Sequence, residues 1–435
     1  MLMYIVSMIR CMLARNTILF TILGASFFCS AYPALTSPGT IAASDSGYPP
    51  LKLSMAKANV EQIRRGEYMV KMADCFTCHT DEANQGKPFA GGLKIKTPFG
   101  SVYAPNITPD KDTGIGNWSD DEFVRAVREG IAPDGTYYYP VFPYNYFNKM
   151  SRQDVLDIKA YLDAIPSVRQ KNHAQEMQWP FNYRILQAGW RLLFFDFNKG
   201  VFKPQSDHSA EWNRGAFIVD GPGHCALCHT PLNYFGVPRK KYYLAGAFVE
   251  GYYAPNISAQ GLQHLSNKAV ADIFLHNEMP THAALDGPMK GVEHNSLRFL
   301  HAGDLTAIAV YLKSVRSTQP PVETDIDKTF SLEDGKKLYQ SSCEMCHANQ
   351  LMGAPGADKR VWDILLDQGR ETLYEIAIRG SGHMPAKGGC ETCSNGRLKA
   401  AVDYMIKQSQ QSNRSSTSMN TIKSHHNRAG IESER

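Results

Sequence analysis

Cys75-Phe-Thr-Cys78-His79, Cys225-Ala-Leu-Cys228-His229 and Cys343-Glu-Met-Cys346-His347 are three copies of one pentapeptide, Cys-x-x-Cys-His, in a chain of 435 residues. In such a motif two thiols add to the vinyl groups of a haem, and the adjacent histidine becomes the proximal iron ligand. The spacing is demanding: both cysteines must reach one edge of the macrocycle while the histidine projects over its face. A single copy could equally be a redox dithiol, a zinc site or a disulfide. Three copies in similar surroundings argue for three covalently bound haem c groups.

The remaining cysteines fit this count. The sequence has 10 cysteines, of which six lie in the motifs. Cys11 and Cys29 fall in an N-terminal stretch, and the last two are Cys390 and Cys393. That stretch carries Arg10 and Arg15, an apolar run from Ile18 to Phe28, and small residues to Ala34. Basic, apolar and small regions in this order predict a secretory signal peptide over residues 1–34, hence export to the periplasm. The run is short for a membrane span; left uncleaved, it would tether the chain to the outer face of the inner membrane. A net charge of +4, with 43% hydrophobic residues, describes an ordinary globular protein and gives no reason to expect a nucleic-acid partner.

Around each motif the same pattern recurs. A short amphipathic segment with a glycine precedes it: Arg65-Gly66-Glu67, Arg214-Gly215-Ala216 and Asp334-Gly335-Lys336. A second helical pattern closes each unit, over 154–162, 304–312 and 398–405, each with a tyrosine near its end. A glycine where two helices cross lets their backbones approach closely. The fold class expected is all-α: three tandem cytochrome c domains at 58–170, 211–318 and 329–408. An aromatic-rich connector is expected over 171–210, packing on both neighbours in preference to binding a partner. A linker follows at 319–328 and a disordered tail at 409–435. The first two units are an internal repeat: Tyr103-Ala104-Pro105-Asn106-Ile107 recurs as Tyr253-Ala254-Pro255-Asn256-Ile257 at an offset of 150 residues. This segment is either a tight turn or a loop bonding the ligand histidine or a haem propionate. Helices starting at Ser119 and Ser266 follow it.

A methionine opposite the histidine would give a six-coordinate electron-transfer haem, whereas an open position would suggest catalysis. Met150 is the one methionine between the first motif and its closing helix. Met384 stands just before the last helix, with His383 as its competitor. For the second motif Met289, Met279, His294 and His301 all qualify, and the repeat aligns Met150 with Leu300.

Residues 60–318 resemble the cytochrome c subunits of bacterial membrane-associated dehydrogenases for gluconate, alcohols and other polyols. The resemblance rests on Thr97-Pro98-Phe99-Gly100, Asn106-Ile107-Thr108-Pro109-Asp110, Trp212-Asn213-Arg214-Gly215 and Gly223-His224-Cys225. It implies that Met289, in Gly287-Pro288-Met289, is the second axial methionine. Leu232 departs from the arginine usual there. Residues 331–407 resemble instead the small cytochromes of the c-five type, through Ile378-Arg379-Gly380 and Met384-Pro385-Ala386-Lys387-Gly388-Gly389-Cys390. That likeness implies a Cys390–Cys393 disulfide. Together the resemblances imply an electron-transfer subunit of an oxidoreductase acting on CH–OH donors, with no catalytic residues of its own. A flavin- or quinoprotein dehydrogenase would supply electrons, and quinone or a terminal oxidase would receive them, with peripheral membrane association. The alternatives are a free-standing carrier and a haem peroxidase-type enzyme.

Overall fold

Each motif sits beside a pair of crossed helices, and in each pair a glycine sets the closeness of the crossing. The computed structural model describes residues 47–51, 57–195, 197, 200–249, 252–277, 285, 287–318, 330–390 and 393–411. Around the first motif lie α1 (Lys57–Met72), α2 (Cys75–His79), α3 (Asp120–Glu129), α4 (Tyr144–Phe147) and α5 (Arg152–Ala164). Helix α6 (Leu186–Phe194) belongs to the connector. Around the second motif lie α7 (Ala210–Asp220), α8 (Ala226–His229), α9 (Asn267–His276), α10 (Gly287–Asn295) and α11 (Ala302–Leu312). The third has α12 (Leu332–Leu338), α13 (Glu344–His347), α14 (Lys359–Asp367) and α15 (Arg370–Arg379), then α16 over residues 395–411.

A Cβ on Gly66 would meet the Asp157 carbonyl oxygen of α5 at 1.8 Å. On Gly215 it would meet that of Ala307, and on Gly335 that of Ala400, each at 2.0 Å. Only a residue without a side chain permits these contacts. Serines start the helices that follow. Ser119 and Glu122, Ser151 and Asp154, and Ser331 and Asp334 form reciprocal capping boxes, while Ser266 accepts from the Ala269 amide.

The chain is mostly helical, but the strictly all-α expectation needs correcting. Strand β1 (Lys94–Thr97) pairs antiparallel with β2 (Gly100–Tyr103), which also pairs with β3 (Glu176–Met177). Strand β4 (Ala247–Val249) pairs with β5 (Tyr252–Ala254). The first hairpin turns through Pro98-Phe99 into Gly100, whose φ of 126° a side chain would resist. Both hairpins lead straight into the repeated Tyr-Ala-Pro-Asn-Ile segments, so they aim those loops. The last helix also runs past the expected boundary at 408: residues 409–411 complete it, and Ser409 is fully buried. The leader at 1–34, the linker at 319–328 and the tail from 412 lie outside the described residues. Among the described residues, no helix is long and apolar enough to cross a membrane.

The first two motifs share one hydrophobic core, which runs from Val70, Phe76 and Tyr161 to Val219, Leu305 and Leu312. The third has small clusters of its own, around Trp362, Tyr374 and Ile406 and around Leu338 and Leu398. The core thus divides two against one, as the internal repeat does.

Candidate functional site

The three motif histidines share one hydrogen-bond arrangement. Nδ1 of His79 lies 2.7 Å from the Pro105 carbonyl oxygen, Nδ1 of His229 lies 2.7 Å from that of Pro255, and Nδ1 of His347 lies 3.0 Å from that of Pro355. A carbonyl only accepts, so Nδ1 carries the proton and donates. The Nε2 lone pair is left for a metal, and the ring is held in one orientation. Burial lowers the pKa of all three imidazoles, against a smaller opposing effect of the proline carbonyl. Each imidazole is therefore neutral at physiological pH. None of the six motif cysteines is in a disulfide. Among the described residues, no three His, Cys, Asp or Glu side chains converge as zinc ligands would. Two thiols beside a histidine with a prepared Nε2 form the donor set that covalent haem attachment requires.

The repeated loop does more than turn. Asn106 Oδ1 accepts from the Thr108 amide at 2.9 Å, and Asn256 Oδ1 accepts from the Ser258 amide at 2.9 Å. Each asparagine therefore pins the turn, and the preceding proline carbonyl reaches the histidine. The segment is thus a tight turn and, through its proline carbonyl, a partner of the motif histidine.

Behind these loops stand residues that the sequence did not single out. In the first unit, Asn172 Oδ1 accepts from the Asn106 amide at 2.6 Å, and Gln175 Oε1 from the Tyr103 amide at 2.7 Å. Both belong to the connector. At the equivalent places in the second unit the acceptors come from the third. Gln368 Oε1 accepts from the Asn256 amide at 2.5 Å, and Ser381 Oγ from the Tyr253 amide at 2.9 Å. Beside them Asp367, almost fully buried, lies 2.6 Å from His264 Nδ1. The third unit thus backs the second histidine loop as the connector backs the first.

The candidate sixth ligands are placed unequally. Met150 is fully buried in the shared core, and Leu300 occupies the matching turn before α11. Met289 is half-buried on α10, packed against that core. Its competitors face elsewhere: His294 lies 3.0 Å from Arg298, and His301 stacks on Tyr68 with ring centroids 4.3 Å apart. Met279 lies outside the described residues. Met384 packs against the Trp362 cluster, while His383 is exposed. Cys390 and Cys393 form a disulfide with Cα atoms 5.4 Å apart.

The first and second motifs interlock. Thr77, inside the first motif, accepts from Asn295 Nδ2 at 3.2 Å, at the end of the helix that bears Met289. In return the Phe147 ring, near Met150, meets the ring of His224 beside the second motif at 5.8 Å. Asp304 ties the two halves together. It accepts from Tyr68 at 2.6 Å and from Arg214 at 2.8 and 2.7 Å. Burial alone would raise its carboxyl; the bonds and charge of Arg214, with Tyr68, hold it below the usual carboxylate range.

Residues 330–405 match the family model described as cytochrome C oxidase, cbb3-type, subunit III. The chain is 40% identical over 299 residues to a nicotinate dehydrogenase subunit of Pseudomonas putida, covering 66% of this chain and 24% of that protein. It is 36% identical to the cytochrome c subunit of the quinone alcohol dehydrogenase of Gluconobacter oxydans, covering 67% of this chain and 64% of the relative. It is 35% identical to the gluconate 2-dehydrogenase cytochrome c subunit of Pantoea cypripedii, covering 67% of this chain and 70% of that one. The chain therefore spans about a quarter of the first relative's length and just under two thirds of the second's.

Proposed function

Because the chain belongs to the family of cytochrome c subunits of bacterial dehydrogenases, we propose that it is a three-haem electron conduit serving a partner dehydrogenase. Haem c, which the family carries, supplies a one-electron iron couple when bound. Cys75 and Cys78, Cys225 and Cys228, and Cys343 and Cys346 would hold it by thioether bonds, in three tandem domains at 58–170, 211–318 and 329–408. His79, His229 and His347, with Met150, Met289 and Met384, would supply the remaining ligands to the three irons. The observation that carries the reading is the thrice-repeated histidine Nδ1 donation to a proline carbonyl. It is what a metal-ligating histidine needs and what a surface histidine rarely has.

The chain's own residues exclude water and fix orientation; oxidation of a CH–OH substrate belongs to a flavin- or quinoprotein partner. Electrons from that partner leave for quinone or a terminal oxidase on the periplasmic side. The third motif suits an exit: His347 is less buried than the other two, and Met345, Leu351 and Met352 stand exposed around it. Such an apolar rim matches the small, transient contacts of electron carriers. The test is native purification from membranes. A dehydrogenase should co-purify, and its substrate should reduce the cytochrome absorption within the complex. A chain that purifies alone and is reduced by no co-purifying enzyme would instead be the free-standing carrier that the likeness of residues 331–407 to the small cytochromes of the c-five type motivates.

A further inference from the structure

Residues 47–51 lie ahead of the first domain expected at 58–170, yet they are seated on the core that the first two motifs share. Tyr48 and Leu51 both pack against that core. The Tyr48 ring sits among three others, with centroids 4.9 Å from Phe76 inside the first motif, 5.8 Å from Phe89 and 5.7 Å from Phe299. Phe76 and Phe89 belong to the first unit and Phe299 to the second. Lys71 Nζ closes the cage, 5.1 Å from the Tyr48 ring and 4.9 Å from that of Phe299. Gly47 lies against the Phe76 ring with a φ of 63°, and a Cβ there would stand 3.2 Å from Phe76 Cζ.

The hydroxyl matters as much as the ring. Tyr48 donates at 2.6 Å to the carbonyl of Asn295, the last residue of α10, the helix that bears Met289. The Asn295 side chain in turn donates to Thr77 Oγ1 inside the first motif at 3.2 Å and to Glu82 at 2.9 Å. Next to it Ser296 donates to the Lys71 carbonyl at 2.5 Å. Asn295 and Ser296 are each only 1% exposed. Tyr48 thus touches the first motif with its ring and the end of α10 with its hydroxyl, and it belongs to neither unit. A buried polar seam of this kind opens to water when a covering group is lost, because each of its bonds competes with solvent. Water access and local dielectric help to set the potential of an iron site. Water stabilises the more highly charged ferric state, so a site that opens falls in potential.

We propose that the 47–51 arm is a clamp on the first two haem sites. Tyr48 is its positioning residue, keeping water from the first motif and holding the helix that bears Met289 in place. The clamp rests on the haem reading above and extends it to a segment outside all three domains. The third site, with Met384 in a separate cluster, is the internal control.

The test compares the full-length holoprotein with Tyr48→Ala and Tyr48→Phe. Amide exchange read by mass spectrometry reports on the clamp whatever the motifs carry. Tyr48→Ala should exchange at least tenfold faster at 75–79 and 292–296. Tyr48→Phe keeps the ring and should do so at 292–296 alone. In an optical redox titration of Tyr48→Ala, two of the three components should move to lower potential while one stays. Parent-like exchange at 292–296 in Tyr48→Phe overturns the clamp, even where Tyr48→Ala fails to fold. Faster exchange with every potential unmoved, or with all three moved together, overturns the positioning role. A parent with fewer than three haems contradicts the conduit reading instead, and amide exchange still decides the clamp.

Discussion

Asp304 shows how much can rest on one side chain. It receives Arg214 from its own half and Tyr68 from the other, so one carboxylate braces both halves of the shared core. Its folded pKa lies below the ordinary 3.8. The stability it contributes is therefore present above that value and is lost as pH falls through the folded pKa. Asp304→Asn should cost about 2 kcal/mol at neutral pH, the scale of a charged hydrogen bond. It should also flatten the acid slope of stability below about pH 4, as urea unfolding followed across pH would show. A substitution as destabilising at pH 3 as at pH 7 would refute the linkage. Met289→Ala is a different kind of change. It should remove thioether ligation at one site of three and lower the potential of that site. If the thioether-to-iron charge-transfer band of the oxidised protein kept its full intensity, the ligand would be another residue.

At the scale of elements, the glycine crossings are the most sharply constrained feature. Gly66→Ala, Gly215→Ala and Gly335→Ala each drive a methyl into a carbonyl, and each should destabilise by roughly 3 kcal/mol through overpacking. Thermal unfolding followed at the Soret band would register it. Substitution of Gly303, which has open space around it, should be mild by comparison. These crossings were legible in the sequence because the motif fixes the register: a glycine, then the pentapeptide, then a closing helix with its tyrosine. The hairpins were less so. Lys94-Ile95-Lys96-Thr97 is short and polar, and the strand that completes its sheet on the far side of β2, Glu176-Met177, comes from distant sequence in the connector. The acceptors behind the histidine loops were not legible at all. Asn172 and Gln368 lie in unrelated local sequence and become equivalent only when folding brings both to the same place on two copies of one loop. Gln368→Ala removes the acceptor for the Asn256 amide. It should loosen the second loop, seen as faster amide exchange at 253–257 with 103–107 unchanged. Equal protection in variant and parent would show that the third unit does not support that loop.

On the scale of the whole molecule, two interlocked halves share a core, and a third part leans on the second. The third part has its own hydrophobic clusters and its own match to a cytochrome family model, yet its Gln368, Ser381 and Asp367 complete the wall of its neighbour. Such an arrangement couples the parts mechanically while leaving the third motif near the surface. The proposed conduit requires that all three Cys-x-x-Cys-His motifs carry covalent haem. Intact mass spectrometry of the denatured holoprotein, produced with a cytochrome c maturation system, tests it most directly. One polypeptide carrying three haem increments is expected, falling to two in Cys343→Ala/Cys346→Ala. A parent chain carrying two haems, with the cysteines of one motif unmodified and open to alkylation, would contradict it.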